Sequence, residues 1–158
     1  MVPVSDEELM RAALVEARKA MSRDEVPIGA VLAVEGEIVA AAFNRPISTI
    51  DPTAHAEICA LRMAALTLGN YRLTGATLCV TVEPCAMCVG AMVHARIGTL
   101  IYGADEPKTG AVRSTMNLLD DPSWNHRIRV VTGLMEDECR GLLQEFFREK
   151  RKDRRNSA

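Results

Sequence analysis

Two short motifs, His55-Ala56-Glu57 and Pro84-Cys85-Ala86-Met87-Cys88, lie far apart in the chain. Between them, Ala76–Val82 alternates threonine with apolar residues and reads as a buried strand. Asp51-Pro52-Thr53 reads as the start of a helix through His55, and Pro84 as the start of another at the strand's end. A fold that uses both motifs must bring these two helix starts together beside that strand's end.

The side chains so gathered suit a metal. A structural zinc ion takes four protein ligands, whereas a catalytic one keeps a position for water. His55, Cys85 and Cys88 supply three. Cys85 and Cys88 are three residues apart, so both sulfurs lie on one face of a helix's first turn. There the free N–H groups and the helix dipole favour thiolate over thiol. Residues two apart on a helix point to nearly opposite sides, so His55 and Glu57 are not an ordinary same-face ligand pair. Glu57 is cast instead as the neighbour of the open position. Two thiolates and a neutral imidazole cancel the charge of a dication, leaving it a weaker acidifier of water than one held by three histidines. Such a site calls for a dedicated base, and a carboxylate near hydroxide is pushed toward accepting a proton that it can later donate to the substrate.

The rival is a closed Cys2His2 site, in which His94 or His126 is the fourth ligand. His94 lies nine residues after Cys85 and six after Cys88. On one continuous helix it points about 180° and 240° away from them. His126, in Trp124-Asn125-His126-Arg127, is compatible with either a fourth ligand or a loop contact.

With 158 residues, 48% of them hydrophobic, the chain is long enough for one domain with a full core. The expectation is a single domain over residues 1–158, with a basic C-terminal tail from 148. No apolar run reaches the roughly 18 residues that span a membrane, and the N-terminus enters an acidic segment where a secretory signal would be basic and then apolar. The expected compartment is the cytoplasm. Five cysteines, with Cys59 and Cys79 inside apolar stretches, fit reduced thiols; Cys139 has no assigned role. A net charge of −2 argues against indiscriminate coating of nucleic acid. The segment Arg148–Arg155 nevertheless holds six basic and two acidic residues, a local +4 against −6 for the rest. It reads either as a solvated end or as a guide for a phosphate backbone.

Ser5 and Glu8 form a capping-box pattern ahead of Met10, Leu14, Ala17 and Met21, which predicts a first helix to about Arg23. Gly29–Val34 and Ile38–Phe43, joined through Glu35-Gly36-Glu37, predict a β-hairpin. The second helix runs to about Leu68, with Gly69-Asn70 as its stop. A helix from Cys85 to about Ala95, a strand Thr99–Tyr102, a loop Asp105–Asn117, a strand Arg127–Thr132 and a helix Asp137–Arg151 follow. Strands and helices alternate after the hairpin, which implies a three-layer α/β/α fold on a mixed, roughly five-stranded sheet.

H-x-E…P-C-x-x-C is the known signature of zinc-dependent nucleobase deaminases, and the chain resembles that cytidine deaminase-like superfamily. More closely, it is similar to the bacterial tRNA-specific adenosine deaminases over nearly its whole length. The resemblance rests on Glu25–Val31, Asn44-Arg45-Pro46, Asp51–Glu57, Val82–Cys85, Lys108–Ala111, Asn125-His126-Arg127 and Phe146-Phe147-Arg148. It implies hydrolysis of the wobble adenosine of an arginine tRNA anticodon to inosine, by a homodimer with one zinc ion per subunit. It also implies that His55, Cys85 and Cys88 bind the zinc and that Glu57 carries protons. Asn44 would bond the purine edge, and Val26 and Ala54 would line the base pocket. Lys108, Phe146, Arg148 and Lys150 are candidates for contact with the anticodon stem-loop. Phe146 and Phe147 also suit a core or a dimer surface, and Asn44 suits a turn before Arg45-Pro46. Arg113 departs from the resemblance, which leads one to expect a small residue there.

Two other functions compete. One is deamination of a free nucleobase or nucleoside such as guanine or cytidine, against which the basic tail and Phe146-Phe147-Arg148 weigh. The other is a non-catalytic, zinc-stapled RNA-binding module.

Overall fold

The computed structural model describes residues 2–157. Its first helix, α1 (Asp6–Ser22), starts as the sequence requires. The Ser5 hydroxyl accepts the Glu8 N–H at 3.1 Å, and the Glu8 carboxylate accepts the Ser5 N–H at 3.0 Å. Met10, Leu14 and Ala17 are buried along one face, and Gly29 meets that face where any β-carbon would collide with the Ala13 carbonyl.

Strands β1 (Gly29–Val34) and β2 (Glu37–Phe43) form the expected hairpin. Its two-residue turn places Glu35 at φ 51° and Gly36 at φ 80°, the left-handed backbone that suits the twist of paired strands. A short helix, α2 (Pro46–Thr49), follows and was not anticipated. Helix α3 (Ala56–Leu68), strand β3 (Thr77–Val82), helix α4 (Ala86–Ala95) and strand β4 (Thr99–Ala104) come next. A 3-10 turn at Leu118–Asp120, strand β5 (Arg129–Thr132) and helix α5 (Glu136–Asn156) complete the order. Strand β5 starts two residues later than expected because His126 and Arg127 are engaged elsewhere: the His126 ring bonds the Ile97 carbonyl, and Arg127 donates to the carbonyls of Leu119 and Asp121. Helix α5 continues five residues past Arg151, so the basic segment is helical through Asn156. Acidic residues in its first turn and arginines in its last complement the helix dipole.

The sheet runs β2-β1-β3-β4-β5, with β1 antiparallel to both neighbours and β3, β4 and β5 parallel. Alternate residues of each strand serve opposite cores. Ala30, Leu32, Leu78, Val80, Leu100 and Tyr102 pack with α3 and α4, whereas Val31, Ala33, Cys79 and Ile101 pack with α1 and Cys139 of α5. This is the three-layer α/β/α arrangement. The carboxyl ends of the parallel strands lie along one edge, where α/β sheets place their sites.

Candidate active site

Helices α3 and α4 each begin with a residue in extended backbone, His55 (φ −70°, ψ 152°) and Cys85 (φ −79°, ψ 174°). His55 is therefore the N-cap and does not lie in the first turn as the sequence suggested. Asp51 is the reason: its carboxylate accepts the Thr53 N–H at 2.8 Å and the Thr53 hydroxyl at 2.7 Å, and its carbonyl accepts the Ala54 N–H at 3.1 Å. That turn holds the backbone out of helix until Ala56.

The two helix starts converge. His55 Nδ1 lies 3.5 Å from Cys85 Sγ and 3.5 Å from Cys88 Sγ, and all three ligand atoms fall within 4.8 Å of one another. A tetrahedral ion with Zn–S near 2.3 Å and Zn–N near 2.0–2.1 Å puts sulfur and nitrogen about 3.5 Å apart. The trio is thus spaced to hold a metal ion. No other such cluster occurs among the described residues. His94 meets the Trp124 ring edge-on, with centroids 6.3 Å apart, and His126 Nε2 lies 2.7 Å from the Ile97 carbonyl. Neither histidine completes a closed site.

Glu57, in the first turn of α3, is 4% exposed. Burial pushes its carboxyl above the ordinary range, the His55 charge opposes that rise and the Cys85 charge adds to it. In the metal-free protein the hydrogen bond from Cys88, with further help from His55, holds the Cys85 thiol down to about 4. The same pairing, with burial, pushes Cys88 upward. The hydrogen bond to Cys85 raises His55. One thiolate, one thiol and an imidazole with raised affinity for protons therefore share the site, poised to release protons when a cation replaces them.

Asn44 is buried, and its backbone N–H donates to the Ile28 carbonyl. Among the described residues its carboxamide makes no hydrogen bond, and no buried side-chain polar atom is wholly enclosed without a partner. Val26, Lys108, Phe146, Arg148 and Lys150 all line one groove of about 1170 Å³ between α5 and the 105–108 segment. Its walls do not include the metal trio. Ala54 lines a separate pocket of about 390 Å³ with Arg45, Cys59 and Leu66. Within the groove, Lys150 Nζ reaches Asp24 at 2.5 Å and lies 5.5 Å from the centre of the Phe146 ring. Phe146 is only 8% exposed, while Phe147, edge-on to it, is 46% exposed.

Sequence reasoning missed Glu83, which joins the buried end of β3 to Pro84. It is 3% exposed and accepts the N–H groups of Glu106, Val112, Arg113 and Ser114 at 2.8–3.1 Å, together with the Ser114 hydroxyl. One carboxylate thereby gathers the whole 106–114 loop beside the metal trio. Gly110 is required there, since any β-carbon would collide with the Glu83 carboxyl. A charged residue contiguous with a buried strand was the available signal.

Burial alone would raise the Glu83 carboxyl, but the hydrogen bonds from Arg113, Ser114 and Glu106 outweigh it and hold the group below 4.5. Its stabilisation is therefore complete above pH 4.5 and is lost as pH falls through the lower native value. Glu83→Gln, which leaves several N–H donors poorly paired, is expected to cost about 3 kcal/mol in denaturant unfolding at pH 7. The cost should shrink below pH 4. A loss that stayed constant with pH would contradict the ionised clamp.

The trio, the buried acid and the fold together define a deaminase. The chain belongs to the MafB19-like deaminase family, which it matches over residues 4–151. It is 52% identical to the tRNA-specific adenosine deaminase of Agrobacterium fabrum, over 91% of this chain and 95% of that one. The Bacillus subtilis protein of the same name is 47% identical, over 95% and 93%. Among solved structures, one from work on A-to-I editing by tRNA:A34 deaminases at the wobble position superposes with a TM-score of 0.84 at 50% identity, covering 85% of this chain and 98% of that one. A guanine deaminase from Nitrosomonas europaea superposes at 0.81 with 26% identity, over 92% and 86%. The overlap of fold with a free-base deaminase leaves the sequence likeness to separate the two substrate classes.

Proposed function

We infer that the chain is a single zinc-dependent deaminase domain that hydrolyses the wobble adenosine of a tRNA anticodon, that of an arginine tRNA, to inosine and ammonia. The observation that carries this reading is the buried Glu57 two residues beyond His55, in a chain about half identical to proteins named tRNA-specific adenosine deaminase.

His55, Cys85 and Cys88 fit zinc by ligand type and by spacing. When bound, zinc supplies Lewis acidity that makes water a nucleophile near neutral pH. Glu57 accepts a proton from the water that attacks carbon 6 of adenine and delivers it to the adjacent ring nitrogen. It then moves a second proton from the new hydroxyl to the amino group, which leaves as ammonia, so water and adenosine give inosine and ammonia. Asn44 offers its carboxamide to the purine edge, and Val26, on the groove wall, and Ala54, next to His55 in the chain and in the separate pocket, are assigned to approach the base from different sides. Adenosine in an anticodon loop is poorly stacked, so turning it into the site is cheap. Lys108, Arg148 and Lys150 are assigned to phosphates, with Lys150 exchanging its bond to Asp24, and the Phe146-Phe147 pair to a neighbouring base. Residues 148–157 are assigned to the basic extension of the domain, with residue 158 outside the described residues. The exposed Met63 and Leu66 of α3 suit the surface of a homodimer. No helix among the described residues is long and apolar enough to cross a membrane. A tRNA substrate supports a cytoplasmic assignment.

The test is incubation with an arginine tRNA anticodon stem-loop and, separately, with free adenosine, guanine and cytidine. Inosine should form in the stem-loop alone. Ammonia from a free base or nucleoside, without stem-loop conversion, would reverse the assignment.

A further inference from the structure

Arg113, the one cation out of place in the resemblance, has a specific partner. Its Nε and Nη2 each donate to the Asp105 carboxylate at 3.0 Å, and its Nη1 donates to Thr132 at 3.4 Å. The Tyr102 hydroxyl donates to the same carboxylate at 3.0 Å from the core of β4. A two-pronged pair of this kind fixes direction as well as distance. Glu83 meanwhile accepts the Arg113 backbone N–H. Both the backbone and the side chain of Arg113 are thus locked.

Asp105 lines the groove that Lys108, Arg148, Arg151 and Arg154 also line, whereas Arg113 does not. The groove has three carboxylates, Asp24, Asp105 and Glu106. Asp24 pairs with Lys150, and Glu106 accepts the Lys108 N–H. Asp105 is neutralised from behind, by a guanidinium outside the groove. Arg113 does most to hold its carboxylate ionised, with smaller help from the Tyr102 hydroxyl and from Arg140, which lines the groove but pairs with Glu136 and Asp137, so removing Arg113 would leave the Asp105 charge without its direct ion-pair partner.

We propose that Arg113 is a positioning residue for the polyanionic substrate: by pairing with Asp105 from outside the groove, it cancels a charge that would repel phosphates. This rests on the stem-loop reading of the groove. In a merely structural role, removing both partners would do at least as much harm as removing one. In the electrostatic role, removing both restores binding.

The test measures kcat and KM on the anticodon stem-loop for the native enzyme, Arg113→Ala, Arg113→Lys, Asp105→Asn and the double variant Asp105→Asn/Arg113→Ala. Inosine formation by the native enzyme establishes the underlying reading independently of any variant. For Arg113→Ala, KM should rise roughly fivefold at low salt, the size of one exposed charge interaction, with kcat within about twofold. That difference should fade at high salt. The double variant and Arg113→Lys should return KM close to native, and Asp105→Asn alone should not raise it. If Arg113→Ala folds poorly, the other variants still decide. A double variant with KM as high as that of Arg113→Ala, a raised KM in Asp105→Asn, or an unchanged KM in Arg113→Ala would overturn the proposal.

Discussion

Glu57→Gln should yield a folded, metal-loaded protein whose turnover of the stem-loop is lower by about 10³- to 10⁴-fold, toward the upper end of what a general acid–base contributes. The expected effect is large because in the proposed mechanism one side chain serves two successive proton transfers, and the amide can perform neither. Stability should move the other way. Glu57 has a raised native pKa, so above the unfolded value near 4.5 its ionised form costs folding free energy, increasingly until the native value is passed. The amide carries no such cost, and at pH 7 the metal-free variant should melt no lower than metal-free native protein. Elemental analysis, thermal melting and inosine formation separate these statements. Retained turnover would remove Glu57 from the mechanism, whereas lost metal would make it a ligand or a support for one.

What the sequence disclosed and what it hid divide along the distance over which each feature is determined. The start of α1 needs only Ser5 and Glu8, and the hairpin needs only a residue pair able to take positive φ, so both were legible. The metal trio was legible because two local motifs each fix a side chain at a helix start. Helix α2 was not: its first N–H groups are capped by the Glu25 carboxylate, which accepts from Ile47 and Ser48 across about twenty residues of chain. The shift of His55 out of α3 came from an aspartate turn that competes with helix, a contest of energies too close to settle by pattern. Glu83 and the Asp105–Arg113 fork depend on a loop folding back onto the end of β3, and no periodicity records that. Lys108, Phe146, Arg148 and Lys150 can each be picked out of the sequence, yet their common groove and the diversion of Lys150 to Asp24 emerge only in three dimensions.

Cys88→Ser is expected to abolish metal binding and activity together while leaving the metal-free fold nearly intact. The position is fully buried in the first turn of α4, and serine is slightly smaller and keeps a donor for Cys85, so packing changes little. A hydroxyl does not ionise near neutral pH, however, and cannot stand in for a thiolate. The native protein should lose thermal stability when stripped with a chelator, because the trio binds the ion only when α3 and α4 are docked. A ligand at a thousandfold excess over its dissociation constant stabilises by about 4 kcal/mol, so the metal-dependent shift should be several degrees in the native protein and absent in Cys88→Ser. The comparison distinguishes an open three-ligand site from a staple that holds the fold together. If the stripped native protein or Cys88→Ser were largely unfolded, the metal would be acting as the fold's support; if either retained full turnover, the ion would have no part in the chemistry.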